Sequence, residues 1–138
     1  MFFGFHERQL DDKGRVALPA AFRSEFDDRC YLTYGDSRCI DVYSAEAFET
    51  KAREMIEAVK RGEAPLSMQR TLGHSATVAT IDKQGRITVE EKLRDYAQLA
   101  PSSKIVVAGN LDRVELWSDA VYGSIAERGT LDMARGGA

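Results

Sequence analysis

Leu10-Asp11-Asp12-Lys13-Gly14-Arg15-Val16-Ala17-Leu18-Pro19 and Ile81-Asp82-Lys83-Gln84-Gly85-Arg86-Ile87-Thr88-Val89-Glu90 carry one pattern, D-x-x-G-R, flanked by apolar residues in alternation. The offset is constant (Asp11 to Asp82, Gly14 to Gly85, Arg23 to Arg94), and each half of the 138-residue chain holds one copy. Self-similarity at a fixed period governs how the rest of a chain is read, because each repeat is one supersecondary unit. Any surface built by the pattern is therefore presented twice.

The correspondence extends beyond the pattern. After a short slip, Tyr31–Gly35 aligns with Ile105–Gly109, and Cys39–Ser44 with Arg113–Ser118, which sets Tyr43 against Trp117 and Phe48 against Tyr122. A unit of about 50 residues buries only about 60% of its unfolded surface and makes a marginal domain alone. Two units sharing one core remove that problem, so a single domain is expected.

Composition is that of an ordinary globular chain, with 43% hydrophobic and 30% charged residues. No run approaches the roughly 18 apolar residues of a membrane span, and Met1–Arg8 lacks the layout of a signal peptide. The expectation is a cytoplasmic protein with no membrane partner. A net charge of −3 argues against a wholly basic surface. Nucleic-acid binding then requires cations gathered on one face.

Local signals predict two rounds of hairpin, helix, hairpin and helix. Residues 5–10 and 15–18 read as a hairpin around the first turn, with Gly14 supplying a positive φ. Pro19 opens a helix over 19–27, and residues 30–34 and 39–43 form a second hairpin turning at Gly35–Arg38. That register sets Tyr34 opposite Cys39 and Cys30 opposite Tyr43, too far apart for a disulfide, so buried free thiols are expected. Ser44 caps a helix that runs to about Arg61 and stops at Gly62. Its apolar face is Phe48, Ala52, Met55, Ile56 and Val59, expected to pack on the sheet. Pro65 opens a brief helix ending at Gly73. The second half repeats with a hairpin over 75–89, a helix over 90–97, a hairpin over 104–117 and a helix from Ser118 to about Arg128. Met133–Ala138 read as a frayed tail.

The opening Met1-Phe2-x-Gly4, the Leu10-Asp11-x-Lys13-Gly14-Arg15-x-x-x-Pro19 stretch, Leu72-Gly73-His74-Ser75, the second Asp82-x-x-Gly85-Arg86 and Val114-Glu115-Leu116-Trp117 together resemble the MraZ family. These are bacterial transcriptional regulators built from two tandem SpoVT/AbrB-type units, and the resemblance covers roughly residues 1–125. It implies an α+β fold: a swapped-hairpin, double-ψ-like AbrB β-barrel formed by two tandem ββαββα repeats with flanking helices. The implied organisation is repeat 1 over 5–47, a helical connector over 48–75, repeat 2 over 76–119, and a C-terminal helix and tail over 120–138. It further implies a ring-shaped homo-oligomer, of eight or more subunits, that binds short direct repeats in double-stranded promoter DNA upstream of the division and cell-wall gene cluster. A nucleoid-associated location follows. The copies are unequal, since Gln84 stands where Lys13 does and Glu90 replaces Pro19; the tail is short for the family.

The residue types suit such a role. An aspartate four positions before an arginine, across a tight turn, can hold the guanidinium in one orientation, reducing the entropy lost on meeting a ligand. Arg15 and Arg86 can then pair with a guanine O6/N7 edge or clamp a phosphate. Gly14 and Gly85 keep the backbone low, Lys13 suits a phosphate, and Asp11 and Asp82 act as orienting residues. On this comparison the first turn, with Lys13, is the stronger. Arg8 and Arg23 are candidates to widen the basic face. The alternative is an oligomeric protein-interaction ring whose turn arginines make intersubunit salt bridges, since exposed Asp–Arg pairs are commonly structural. No catalytic constellation, phosphate loop or metal spacing is legible, because His6, His74, Cys30 and Cys39 fall at unrelated places. An enzyme, a cofactor and a small-molecule substrate are not expected, and Trp117 reads as a core anchor.

Overall fold

The computed structural model describes residues 1–137, and Ala138 of the expected frayed tail lies outside them. Eight strands and five helices follow in the order β1 (Phe5–Gln9), β2 (Arg15–Ala17), α1 (Ala20–Arg23), β3 (Arg29–Tyr34), β4 (Ile40–Tyr43), α2 (Ala45–Lys60), α3 (Leu66–Ser75), β5 (Thr77–Thr80), β6 (Arg86–Thr88), α4 (Glu91–Ala97), β7 (Lys104–Gly109), β8 (Val114–Ser118) and α5 (Asp119–Ala134). Six strands form an antiparallel sheet in the order β1-β7-β8-β4-β3-β5, and β2 pairs with β6 in a separate two-stranded ribbon.

This pairing corrects two expectations. Residues 5–10 and 15–18 are not a hairpin: β1 pairs with β7 and β2 with β6. The 75–89 segment is not one either, because β5 pairs with β3. The first strand pair of each half thus opens and bonds across to the other half. The sheet order is palindromic under the repeat, with β1 matching β5, β7 matching β3 and β8 matching β4. A pseudo-twofold axis passes between β4 and β8.

One core forms between the inner face of the sheet and the ribbon. It unites Leu10, Val16, Leu18, Cys30, Leu32, Ile40 and Val42 of the first half with Ile87, Val89, Leu93, Ile105, Val107, Val114 and Leu116 of the second. Fully burying a side chain of this kind is worth about 1.5–3 kcal/mol, which neither half collects without the other. Phe2 seals one end, stacked on Phe26 and edge-on to Phe22.

Helices cover the outer face. Ser44 and Ser118 cap α2 and α5 as the repeat predicts, accepting from the N–H groups of Ala47 and Val121. At its far end α2 closes with Gly62 N–H bonded to Val59 C=O and Glu63 N–H to Ala58 C=O, a Schellman pattern. Phe48 stacks on Tyr31 of the sheet, but Ile56, expected on the same face, is 38% exposed. Trp117 is buried with Cys39, Val106 and Ala108 beneath Val121, Tyr122 and Ile125 of α5.

Several boundaries differ. The helix expected over 19–27 is regular only over Ala20–Arg23. Gly73 does not stop α3, which continues to Ser75 and places His74 in its last turn rather than at a strand end. Past Arg128, α5 runs on to Ala134 and takes in Met133 and Ala134 of the expected tail. The β3–β4 register is shifted by one, with Tyr34 opposite Ile40 and Tyr31 opposite Tyr43, because Ser37 and Arg38 adopt left-handed φ values and lengthen the turn. Cys30 therefore lies in the inner core and Cys39 in the outer cluster, and both thiols are free and buried.

A polar cluster sits on the outer face. Asp41 and Glu115 are directly opposite across β4–β8, with Arg113 Nε 3.4 Å from Asp41 Oδ1. Tyr43 Oη and Cys39 Sγ point to Asp41, while Asn110 and Trp117 donate to Glu115. Burial, opposed by Arg113 and reinforced by Glu115, pushes Asp41 up to about 6 from 3.8. In the folded state the carboxyl thus holds its proton over a window in which the unfolded chain releases it. This group makes stability fall as pH rises from about 4 to about 6, by about 3 kcal/mol at most. Asp41→Asn should flatten that slope when denaturation midpoints are compared across pH 4–7. An unchanged slope in the variant would show that Asp41 is ionised throughout.

Candidate nucleic-acid interface

The two D-x-x-G-R turns have the same construction. Asp11 N–H bonds to Arg15 C=O at 2.9 Å and Gly14 N–H to Asp11 C=O at 3.2 Å; Asp82 N–H to Arg86 C=O and Gly85 N–H to Asp82 C=O measure 3.0 and 2.9 Å. The aspartate side chain fills each turn. Asp11 Oδ1 accepts from the backbone N–H of Lys13 (2.9 Å) and Arg15 (2.8 Å), and Oδ2 accepts from Arg15 Nε at 2.7 Å. Asp82 repeats the set with Gln84 N–H, Arg86 N–H and Arg86 Nε, each at 2.9 Å. The arginine backbone N–H foremost, opposed by desolvation and helped by the arginine side chain, holds both carboxyls below the usual carboxylate range. They stay ionised at neutral pH, and their part in stability is lost only as pH falls through those depressed values.

Each aspartate therefore engages its arginine through Nε. The Nη1/Nη2 edge, which suits guanine O6/N7 or two phosphate oxygens, is not the edge the carboxylate uses. Both arginine side chains are 30% exposed, held yet reachable.

The ribbon sets their relative placement. Arg15 lies opposite Thr88 and Ala17 opposite Arg86, with Val16 paired to Ile87 between them. Because side chains alternate, Val16 and Ile87 point into the core, where both are buried, while Arg15, Ala17, Thr88 and Arg86 share the outer face. The two arginines stand diagonally on that face, their Cα atoms roughly 8 Å apart from strand rise and spacing. The structure thus brings Lys13, Gly14, Arg15 and Asp11 together with Gly85, Arg86 and Asp82 around one ribbon.

Gly14 and Gly85 have φ of 77° and 79°, the left-handed region that side chains disfavour. Each is also covered by an arginine of the other half: a Cβ on Gly14 would lie 2.7 Å from Arg94 Nε, and one on Gly85 would overlap the Arg23 guanidinium. The backbone crosses over in the same way, with Val89 N–H bonded to Gly14 C=O at 2.8 Å and Leu18 N–H to Gly85 C=O at 2.9 Å.

Two residues beside these were missed from sequence. Lys83 is exposed at the position of Asp12, so the second turn carries one more positive charge than the first once Lys13 is set against Asp12. Arg94 is the repeat counterpart of Arg23, and the constant offset was the signal that could have shown both. Arg8 lies on β1 opposite Ile105 and is not on the ribbon strands. His6 rests edge-on to Phe22 and His74 is exposed on α3. Cys39, Asp41 and Glu115 could offer a metal three ligand atoms within 4.8 Å. Arg113 pairs with Asp41, Tyr43 donates to Asp41, and Asn110 and Trp117 donate to Glu115, so both carboxylates already have protein partners, although Arg113 Nε itself makes no hydrogen bond among the described residues. No helix among the described residues is long and apolar enough to cross a membrane.

Fold and site define a tandem-repeat protein that presents a pair of carboxylate-braced arginines on the outer face of a ribbon shared by its two halves. The family model described as "MraZ protein, putative antitoxin-like" matches residues 1–65 and 73–134, and the chain belongs to the MraZ family. Among its relatives, the Transcriptional regulator MraZ of Cutibacterium acnes is 39% identical over 127 residues, covering 92% of this chain and 88% of the relative. The protein of that name from Corynebacterium jeikeium is 39% identical over 117 residues, covering 85% and 80%. The one from Salinispora arenicola is 37% identical over 134 residues, covering 97% and 93%.

Proposed function

We propose that this protein is a transcriptional regulator that binds double-stranded promoter DNA through the outer face of the β2–β6 ribbon. The observation that carries the reading is the placement of Arg15 and Arg86 side by side on that face, each oriented by its own aspartate. A two-stranded ribbon fits the roughly 12 Å width of the major groove. Arginines roughly 8 Å apart span two to three base steps of about 3.4 Å along one strand. Arg15 and Arg86 read base edges or clamp phosphates, Lys13 and Lys83 contact phosphates, and Gly14 and Gly85 let the backbone come close. The relatives named Transcriptional regulator MraZ support the regulatory role.

In this reading the halves, 5–47 and 76–119, are SpoVT/AbrB-type units whose exchanged strands close a swapped-hairpin barrel. The protein acts as a homo-oligomeric ring on direct repeats upstream of the division and cell-wall genes, in the cytoplasm at the nucleoid. Oligomerisation answers the low charge, because one subunit offers few cations while several on one duplex raise the effective concentration. Sites about one helical turn apart then meet neighbouring subunits from the same side.

The test is a titration of the protein's own upstream DNA at several salt concentrations, with light scattering in parallel. Binding should weaken steeply with salt, the logarithmic slope growing by about 0.9 per phosphate contact, while the oligomer mass stays constant. Affinity that ignores salt, or mass that collapses with it, would place the turn arginines in subunit contacts instead.

A further inference from the structure

We propose that Arg23 and Arg94 are positioning residues, each bracing the reading turn of the opposite repeat, so that every DNA-contacting unit is a composite of both halves. The inference rests on the reading of the turns as DNA contacts given above. It assigns a role to two residues that share one place in the repeat, in the last turn of the short helix that follows each ribbon strand.

The geometry is duplicated. Arg94 lies on α4 of the second half, and its Nε, Cζ and Cδ would be 2.7, 3.0 and 3.2 Å from a Cβ on Gly14 of the first half. Arg23 ends α1 of the first half and covers Gly85 of the second through its Nη1, Cζ and Cδ. Both arginines are half-buried. Arg94 is fixed at 2.9 Å by its Nε bond to Val89 C=O, and Val89 N–H is in turn bonded to Gly14 C=O. A flat guanidinium thus occupies the side of each glycine that lacks a side chain. It supports the stretch of backbone whose N–H groups grip the aspartate, and the aspartate grips the reading arginine. In both repeats the turn glycine is covered by an arginine of the other half, a crossing that is not expected of an incidental surface arginine.

The arrangement has a specific consequence. Loss of Arg94 should damage the turn of Arg15, and loss of Arg23 the turn of Arg86, although each is closer in sequence to the other turn. Arg94→Ala and Arg23→Ala, with Arg94→Lys and Arg23→Lys as milder versions that keep charge and stem, are made in the full-length protein. Each is combined with Arg15→Lys or Arg86→Lys, which weaken binding without removing it. Affinity for the upstream DNA is read by fluorescence anisotropy. Arg94→Ala alone should weaken binding by about tenfold, within the range of coupling between residues in one hydrogen-bonded network. It should add almost nothing on the Arg15→Lys background and its full effect on Arg86→Lys. Arg23→Ala should show the mirror pattern.

A readout without DNA accompanies it: amide hydrogen exchange at Lys13 and Arg15 should quicken in Arg94→Ala and not in Arg23→Ala, and the reverse should hold at Gln84 and Arg86. Equal effects on both backgrounds with uniform exchange would overturn the proposal. An additive loss, with a salt slope lower by about one, would make the arginines direct phosphate contacts instead. If the exchange pattern appears while Arg15→Lys and Arg86→Lys bind as tightly as the parent, the bracing stands and the DNA reading of the turns falls.

Discussion

Arg15→Ala should abolish retention of the upstream DNA in a gel shift at moderate salt, while light scattering returns the same oligomer mass. A lost bidentate contact costs about 1–3 kcal/mol, roughly 5- to 150-fold, for each one made. In the proposed ring several subunits engage the DNA, so the deficit is repeated at each engaged site and the product exceeds what the assay can register. Structure should survive, because Arg15 lies on the outer face of the ribbon and is not part of the apolar core. Asp11 retains its bonds to the Lys13 and Arg15 backbone N–H groups, which do not depend on the side chain. An Arg15→Ala protein that dissociates into monomers would assign the arginine to the subunit interface and remove the central support of the DNA reading.

Ile87→Ala should have the opposite phenotype to Arg86→Ala, although the two residues are neighbours. Ile87 is 1% exposed on the inner face of the ribbon, paired with Val16 and packed in the common core. Truncating such a side chain costs about 2–5 kcal/mol, because the cavity closes only partly. For a chain of this size the melting temperature should drop by on the order of 10 °C. DNA affinity at 25 °C should change by only a few fold, since the outer face keeps its arginines. Arg86→Ala should leave the melting temperature nearly in place and remove most of the binding. If Ile87→Ala melts within about 2 °C of the parent, the ribbon is not anchored as described.

Much of this was open to reading. The doubled motif marked the duplication, the turn glycines and the aspartate–arginine pairs; Ser44 and Ser118 marked two helix starts. These are local signals, in which a cap or a turn is settled by residues within four positions of each other. Lengths were less legible. Gly73 looked like a terminator and the last helix was expected to end near Arg128, yet α3 runs on to Ser75 and α5 to Ala134. The extra residue in the β3–β4 turn escaped notice because it uses left-handed serine and arginine, residue types with no preference for that conformation.

Strand partners were legible only where a short turn joins them: the β3–β4 and β7–β8 hairpins expected over 30–43 and 104–117 form, while the partners of β1, β2, β5 and β6 were not legible. A period-two pattern declares which face of a strand is buried and says nothing of what lies across the hydrogen bonds. Sequence proximity suggested hairpins over 5–18 and 75–89, and the fold instead sends each of those strands to the other half, where a larger core is completed. That exchange was decided by tertiary packing.

By itself, then, the sequence determined that there are two D-x-x-G-R turns, that each holds an arginine braced by an aspartate, and that neither half suffices alone. These follow from residue type and short-range bonding. Only the tertiary structure decided that both arginines stand on one ribbon face and that Arg23 and Arg94 each lie on the other half's glycine. Those relations join residues about 70 positions apart and exist only because burying one shared apolar core draws the two halves through each other.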